Sequence, residues 1–132
     1  MSRSLVALFS LVLVLSACHQ GRNAAPVGLP ALDAKVVAQG DSIFGAISCA
    51  RCHGAKGVGG QNGPSLVTGP WLQVTGSIDD ITKIIISGVP VAQIKGAGRT
   101  RAMGARGGPA NLTDEQARAV ATYVYTISRD KK

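Results

Sequence analysis

Cys49-Ala50-Arg51-Cys52-His53 constrains this 132-residue chain more than any other feature. The two thiols are one helical turn apart, so both can project from one face of a short helix, with the imidazole directly after them. This is the spacing by which a c-type haem is attached: each thiol adds to a vinyl group of the same porphyrin, and the histidine lies under the iron as proximal ligand. Two other chemistries use paired cysteines. A zinc site needs a fourth ligand, and the other Cys and His residues are Cys18 and His19, far to the N-terminal side. A thioredoxin-like dithiol needs a strand–helix–strand setting, of which the sequence shows no sign. The residues point to one covalent haem c held by Cys49, Cys52 and His53.

The start of the chain is of a different kind. Met1-Ser2-Arg3-Ser4 is short and positive, and Leu5 to Leu15 is apolar except for Ser10. A run of about ten apolar residues is the length of a signal-peptide core, whereas a membrane span takes roughly twenty. Leu15-Ser16-Ala17-Cys18 resembles the lipobox of bacterial lipoproteins. That resemblance implies a lipoprotein signal peptide over 1–17, with Cys18 lipidated as the first mature residue. Several acyl chains on Cys18 would anchor it firmly to a membrane. With Cys18 lipidated and Cys49 and Cys52 in one motif, no cysteine remains for a disulfide framework.

His19 to Asp33 contains Gly21, Asn23, Pro26, Gly28 and Pro30 without helical or strand period, so residues 18–34 read as a lipidated cysteine and a flexible tether. A coil of that length reaches about 20 Å, which would keep the folded unit, 35–132, near the membrane face. The expected location is outside the cytoplasm, lipid-anchored on the periplasmic side. His19 after the lipidated cysteine makes the outer membrane a possible destination. Net charge is +7, and removing Arg3 with the signal leaves 13 basic against 7 acidic residues. Such a surface suits an acidic redox partner or anionic head groups. Nucleic acid is not expected, because no basic helix or set of stacking aromatics supports it.

Within 35–132, three helices are expected. Val36, Val37, Gly40, Ile43, Phe44 and Ile47 make an apolar stripe on a helix of about 35–48. Gly40 lies on that stripe, where a glycine lets another backbone approach closely. Ser77 caps a second helix, with Ile81, Ile84, Ile85 and Val89 on its apolar face and Gly88-Pro90 at its end. Thr113 and Gln116 form a capping box for a third, whose face is Ala117, Val120, Ala121, Val124 and Ile127. The segment 91–102 is irregular and could hold a short hairpin near Lys95-Gly96. The class is all-α. Some ninety-five residues with few aromatics build only a modest core, which a large flat apolar cofactor would complete.

Together with Gly40-x-x-x-Phe44, Gly63-Pro64-x-Leu66, and Leu112-Thr113-Asp114-Glu115-Gln116 leading to Tyr123, the haem motif makes residues 35–128 resemble the class I c-type cytochromes. The likeness is to the single-haem modules that serve membrane-bound dehydrogenases and terminal oxidases. It implies a cytochrome c fold, with three main helices around the haem and an electron carrier in place of an enzyme. It also implies that Gly40 and Phe44 meet Tyr123 where the first and last helices cross, and that the Pro64 carbonyl accepts a hydrogen bond from His53 Nδ1.

Met103 is the only methionine besides the initiator and lies in a glycine-rich loop with no apolar period, so it is the expected distal ligand. His/Met ligation leaves no position for substrate and raises the potential. The family usually has proline where this chain has Gly104, which implies a looser methionine loop. Arg99, Arg101 and Arg106 bracket the ligand; they would raise the potential, pair with haem propionates or face an acidic partner, unless they simply form a solvated loop. Trp71 could bond a propionate or pack on the ring. The other function class is a haem-based small-ligand sensor with a labile sixth position, which ligation by Met103 would disfavour. A peroxidase is a third possibility that no distal histidine or arginine arrangement requires.

Overall fold

A computed structural model of the chain describes residues 32–96, 98 and 101–129. Four α-helices carry the architecture: α1 (Ala34–Ala46), α2 (Ser48–His53), α3 (Ile78–Ser87) and α4 (Asp114–Arg129). Tight 3-10 turns at Ala55–Gly57, Val91–Gln93 and Ala105–Ala110 punctuate the connections. The domain is all-α, with α1, α3 and α4 as its three main helices. The expected signal segment 1–17, Cys18, the tether as far as 31 and Arg99 lie outside the described residues. The end of the expected tether is corrected, since Asp33 caps α1 and Ala34 is its first residue.

The helix starts follow local chemistry. Asp33 caps α1 by accepting from Lys35 N at 2.8 Å. Ser77 caps α3 by accepting from Asp80 N at 3.1 Å. At α4 the capping box closes both ways: Gln116 N donates to Thr113 Oγ1 at 3.2 Å, and Thr113 N donates to Gln116 Oε1 at 3.0 Å.

Two further expectations are corrected. A single helix over 35–48 does not form: α1 ends at Ala46, and Ile47 is extended at φ −106°, ψ 179° before α2 begins. Ile47 N still bonds Ile43 O at 3.1 Å, so the last turn of α1 closes before the chain changes direction. The break uncouples the two axes, so α1 packs on α4 while α2 presents the thiols elsewhere. Nor does a hairpin form near 91–102. Among the described residues that segment holds a 3-10 turn, and the one β pairing is an isolated antiparallel bridge between Val89 and Met103, at the two ends of the excursion. Glycines and the loss of donors at Pro90 give such a segment no ladder to extend.

The core lies between α1, α3 and α4 and comprises Phe44, Ile81, Ile85, Leu112, Ala117, Val120, Ala121, Tyr123 and Val124. At the crossing of α1 and α4, Gly40 lies directly against Ala119. A Cβ on Gly40 would stand 2.7 Å from Ala119 C and 2.8 Å from Tyr123 Cβ, besides striking the Ala119 carbonyl oxygen. Phe44 and Tyr123 stack in a tilted pair, with centroids 5.4 Å apart. The Tyr123 hydroxyl is buried and, among the described residues, has no partner at hydrogen-bonding geometry. Burial, aided by the Asp41 carboxylate, pushes its phenol up to about 12, so it stays protonated at physiological pH. Gly40→Ala should therefore force the two helices apart and cost about 1–3 kcal/mol in a denaturant titration. Gly45→Ala, where a Cβ meets nothing within 4 Å, serves as the neutral control.

Candidate haem site

One cavity of about 500 Å³ opens between α2, α3, α4 and the loops that join them. Its size falls in the roughly 300–1,000 Å³ range of small-molecule and cofactor sites. Cys49, Cys52, His53 and Met103 all line it. The walls are mainly apolar: Phe44, Leu66, Trp71, Ile81, Ile84, Ile85, Val89, Val120 and Val124. Residues from 44 to 124 thus converge on one space.

On the thiol side, α2 carries Cys49 and Cys52 a turn apart and stops immediately after His53, where Gly54 takes φ 77°. Both thiols are half-buried and neither is bridged. Burial pushes the Cys49 thiol up; a backbone hydrogen bond opposes this, and the neighbouring Cys52 adds a smaller push upward. Among the described residues no group of three or more His, Cys, Asp or Glu side chains could hold a metal ion together.

His53 Nδ1 lies 2.9 Å from the Pro64 carbonyl. A carbonyl only accepts, so Nδ1 carries the proton and the imidazole lone pair is on Nε2, the tautomer suited to ligating iron. The loop 58–66 is pressed against α2 to make this contact. A Cβ on Gly63 would stand 2.8 Å from Cys52 O and 3.1 Å from His53 Nδ1. That cradle fits an oriented axial histidine, and with two thiols and an apolar cavity beside it the residues suit a covalently bound haem.

Met103 is half-buried against the core. Its backbone is fixed at the exit of α3: Val89 N donates to Met103 O at 2.9 Å, and Met103 N donates to Val89 O at 3.0 Å. At the ligand's own peptide, the loop is tied by these two bonds despite Gly104 standing where the family usually has proline. Trp71 lines the cavity with its indole edge pressed on Gly76, and its ring packs against the core.

Arg101 and Arg106 do not act as a unit, and Arg99 lies outside the described residues. Arg106 donates to Leu112 O at 2.8 Å and pairs with Asp114 at 2.7 Å, tying the loop after Met103 to the start of α4. Arg101 is exposed and lines the cavity mouth. Arg51 and Lys95, which sequence reasoning did not single out, line the same mouth. Arg51 had a signal, since a residue between two haem-bound cysteines must lie beside the ring. Lys95 had none.

A donor set of this kind on a helical frame defines a c-type cytochrome. Residues 35–124 match the family described as cytochrome C oxidase, cbb3-type, subunit III, and the chain belongs to that family. No curated protein and no solved structure matches it. Membership implies covalent haem c, an electron-transfer role and an exported or membrane-associated protein. No helix among the described residues is long and apolar enough to cross a membrane.

Proposed function

We propose that the chain is a single-haem electron carrier, with the haem joined to Cys49 and Cys52 and its iron held between His53 and Met103. The observation that carries this reading is the one cavity onto which both thiols, the imidazole and the thioether open. When bound, the haem supplies the one-electron couple of its iron. The residues do the rest. Pro64 holds the His53 ring with its proton on Nδ1, Met103 would supply a thioether ligand to the iron, and the apolar walls would keep water from the ring. The pinned Met103 backbone weighs against a small-ligand sensor, which needs a labile sixth position.

Arg51, Lys95 and Arg101 surround the mouth, where Leu72 is also 38% exposed. They make it a docking face for an acidic redox partner of the membrane oxidase or dehydrogenase type, in keeping with the oxidase named in the family's description. Transfer rates with that partner should fall steeply from about 0.01 M to about 1 M salt, as the Debye length shrinks from about 30 to about 3 Å. A flat series would remove electrostatic docking from the account.

Residues 1–17 are proposed to direct export, Cys18 to carry the lipid and 18–34 to tether the domain to the periplasmic face of a membrane, the outer membrane being one possibility. Wild type should partition into detergent and Cys18→Ser into the aqueous phase without lipid label. Recovery of an unacylated, fully aqueous wild type would remove the anchor.

A further inference from the structure

We propose that the distal thioether is positioned by the backbone at the exit of α3, with Gly88 and Val89 supplying the restraint that a proline after the ligand would otherwise give. This rests on Met103 being the axial ligand. Val89 and Met103 exchange both N–H···O bonds, so the ligand's own N–H and C=O are each engaged. A side chain whose N–H and C=O are both held sweeps a much smaller volume than one on an open loop.

The bridge depends on Gly88. Its φ 68°, ψ −172° lies in a region that is essentially reserved for glycine. A Cβ there would stand 2.5 Å from Met103 O and 2.7 Å from Ala105 N. Gly88 and Val89 are both buried, so the contact has nowhere to relax into.

On the other side of the ligand, Gly104 has φ −65°, ψ 135°, the value that a proline ring imposes. Met103 is paired in an antiparallel bridge, and the extended region typical of such pairing is also the one a following proline favours. No hydrogen bond among the described residues uses the Gly104 N–H. Gly104 thus takes a proline-like φ without the proline, and the bridge is what holds the loop in place. A Cβ on Gly104 would stand 3.1 Å from Gly108 Cα, so the following turn must give by a few tenths of an ångström to admit one. After Gly104 the chain turns sharply through Arg106, Gly107 and Gly108, all at positive φ, and Arg106 secures that turn to Leu112 and Asp114.

The experiment uses the full-length haem-loaded protein and reads the ferric methionine-to-iron charge-transfer band together with carbon monoxide binding in the ferrous state. Gly88→Ala should lose the band and admit carbon monoxide, while keeping its haem through acid-acetone extraction and its helical circular dichroism. Gly104→Pro alone should keep the band, and Gly88→Ala with Gly104→Pro should regain it. Hydrogen exchange at the Val89 and Met103 amides should be slow in wild type and fast in Gly88→Ala. Retention of the band in Gly88→Ala despite fast exchange at both amides overturns the proposal, as does a double variant that stays without the band. If Gly88→Ala does not accumulate, exchange in wild type decides: two amides as fast as exposed loop residues overturn it, and two slow ones support it. Met103→Ala separates the underlying assignment. A wild type without the band, or a Met103→Ala spectrum identical to wild type, refutes Met103 as ligand and leaves the Val89–Met103 bridge a structural fact without that role.

Discussion

Cys49→Ala combined with Cys52→Ala is expected to give a chain that keeps no haem after denaturation and acid-acetone extraction and accumulates little folded protein. The cavity decides the size of the effect. At about 24 cal/mol per Å³, an empty dry space of about 500 Å³ would cost on the order of 12 kcal/mol. That is an upper bound, because the mouth admits water past Arg51, Lys95 and Arg101. It is still comparable with the whole stability of a small domain, about 5–15 kcal/mol. The nine apolar side chains of the cavity walls, from Phe44 to Val124, would lose their packing partner at once, so the loss should be one of cooperativity as well as of midpoint. Near-ultraviolet circular dichroism and denaturant titration check it. A double variant that unfolds with wild-type cooperativity would contradict the view that the cofactor completes this core.

Met103→Ala should erase the ferric charge-transfer band, lower the reduction potential and open the ferrous iron to carbon monoxide. Stability should fall by about 2 kcal/mol, the low end for a methionine truncated to alanine, because Met103 is half-buried. Attachment through Cys49 and Cys52 should be untouched. The same measurements on wild type separate the two function classes. Rapid carbon monoxide binding by the unaltered protein would move the assignment from carrier to sensor.

Much of this was legible because it rests on short-range rules. The haem motif is a spacing, and the caps at Ser77 and at Thr113 with Gln116 are offsets of three residues that the structure reproduces as hydrogen bonds. Gly40 was readable as a close approach because it interrupts an apolar stripe, and the Ala119 backbone is what approaches. The break at Ile47 was not legible: the stripe runs straight through it, and periodicity is blind to one residue's φ and ψ. The Val89–Met103 bridge pairs two isolated residues and leaves no repeat to detect. Arg99, Arg101 and Arg106 look alike in sequence. Only folding shows that Arg106 is committed to Leu112 and Asp114 while Arg101 faces the mouth.

Among the described residues, the segment from Pro90 to Ala102 is closed at its base by the Val89–Met103 bridge and rests back on the domain where Gln93 O accepts from Gln73 Nε2 at 3.0 Å. Its length is therefore thermodynamically cheap to vary: doubling a closed loop adds only about 0.6 kcal/mol of closure entropy. Insertions or replacements there would redraw the surface around Lys95 and Arg101 while the iron's ligands stay where they are. Within this small domain, the surface at the cavity mouth can therefore be varied in length and composition without touching the Val89–Met103 bridge.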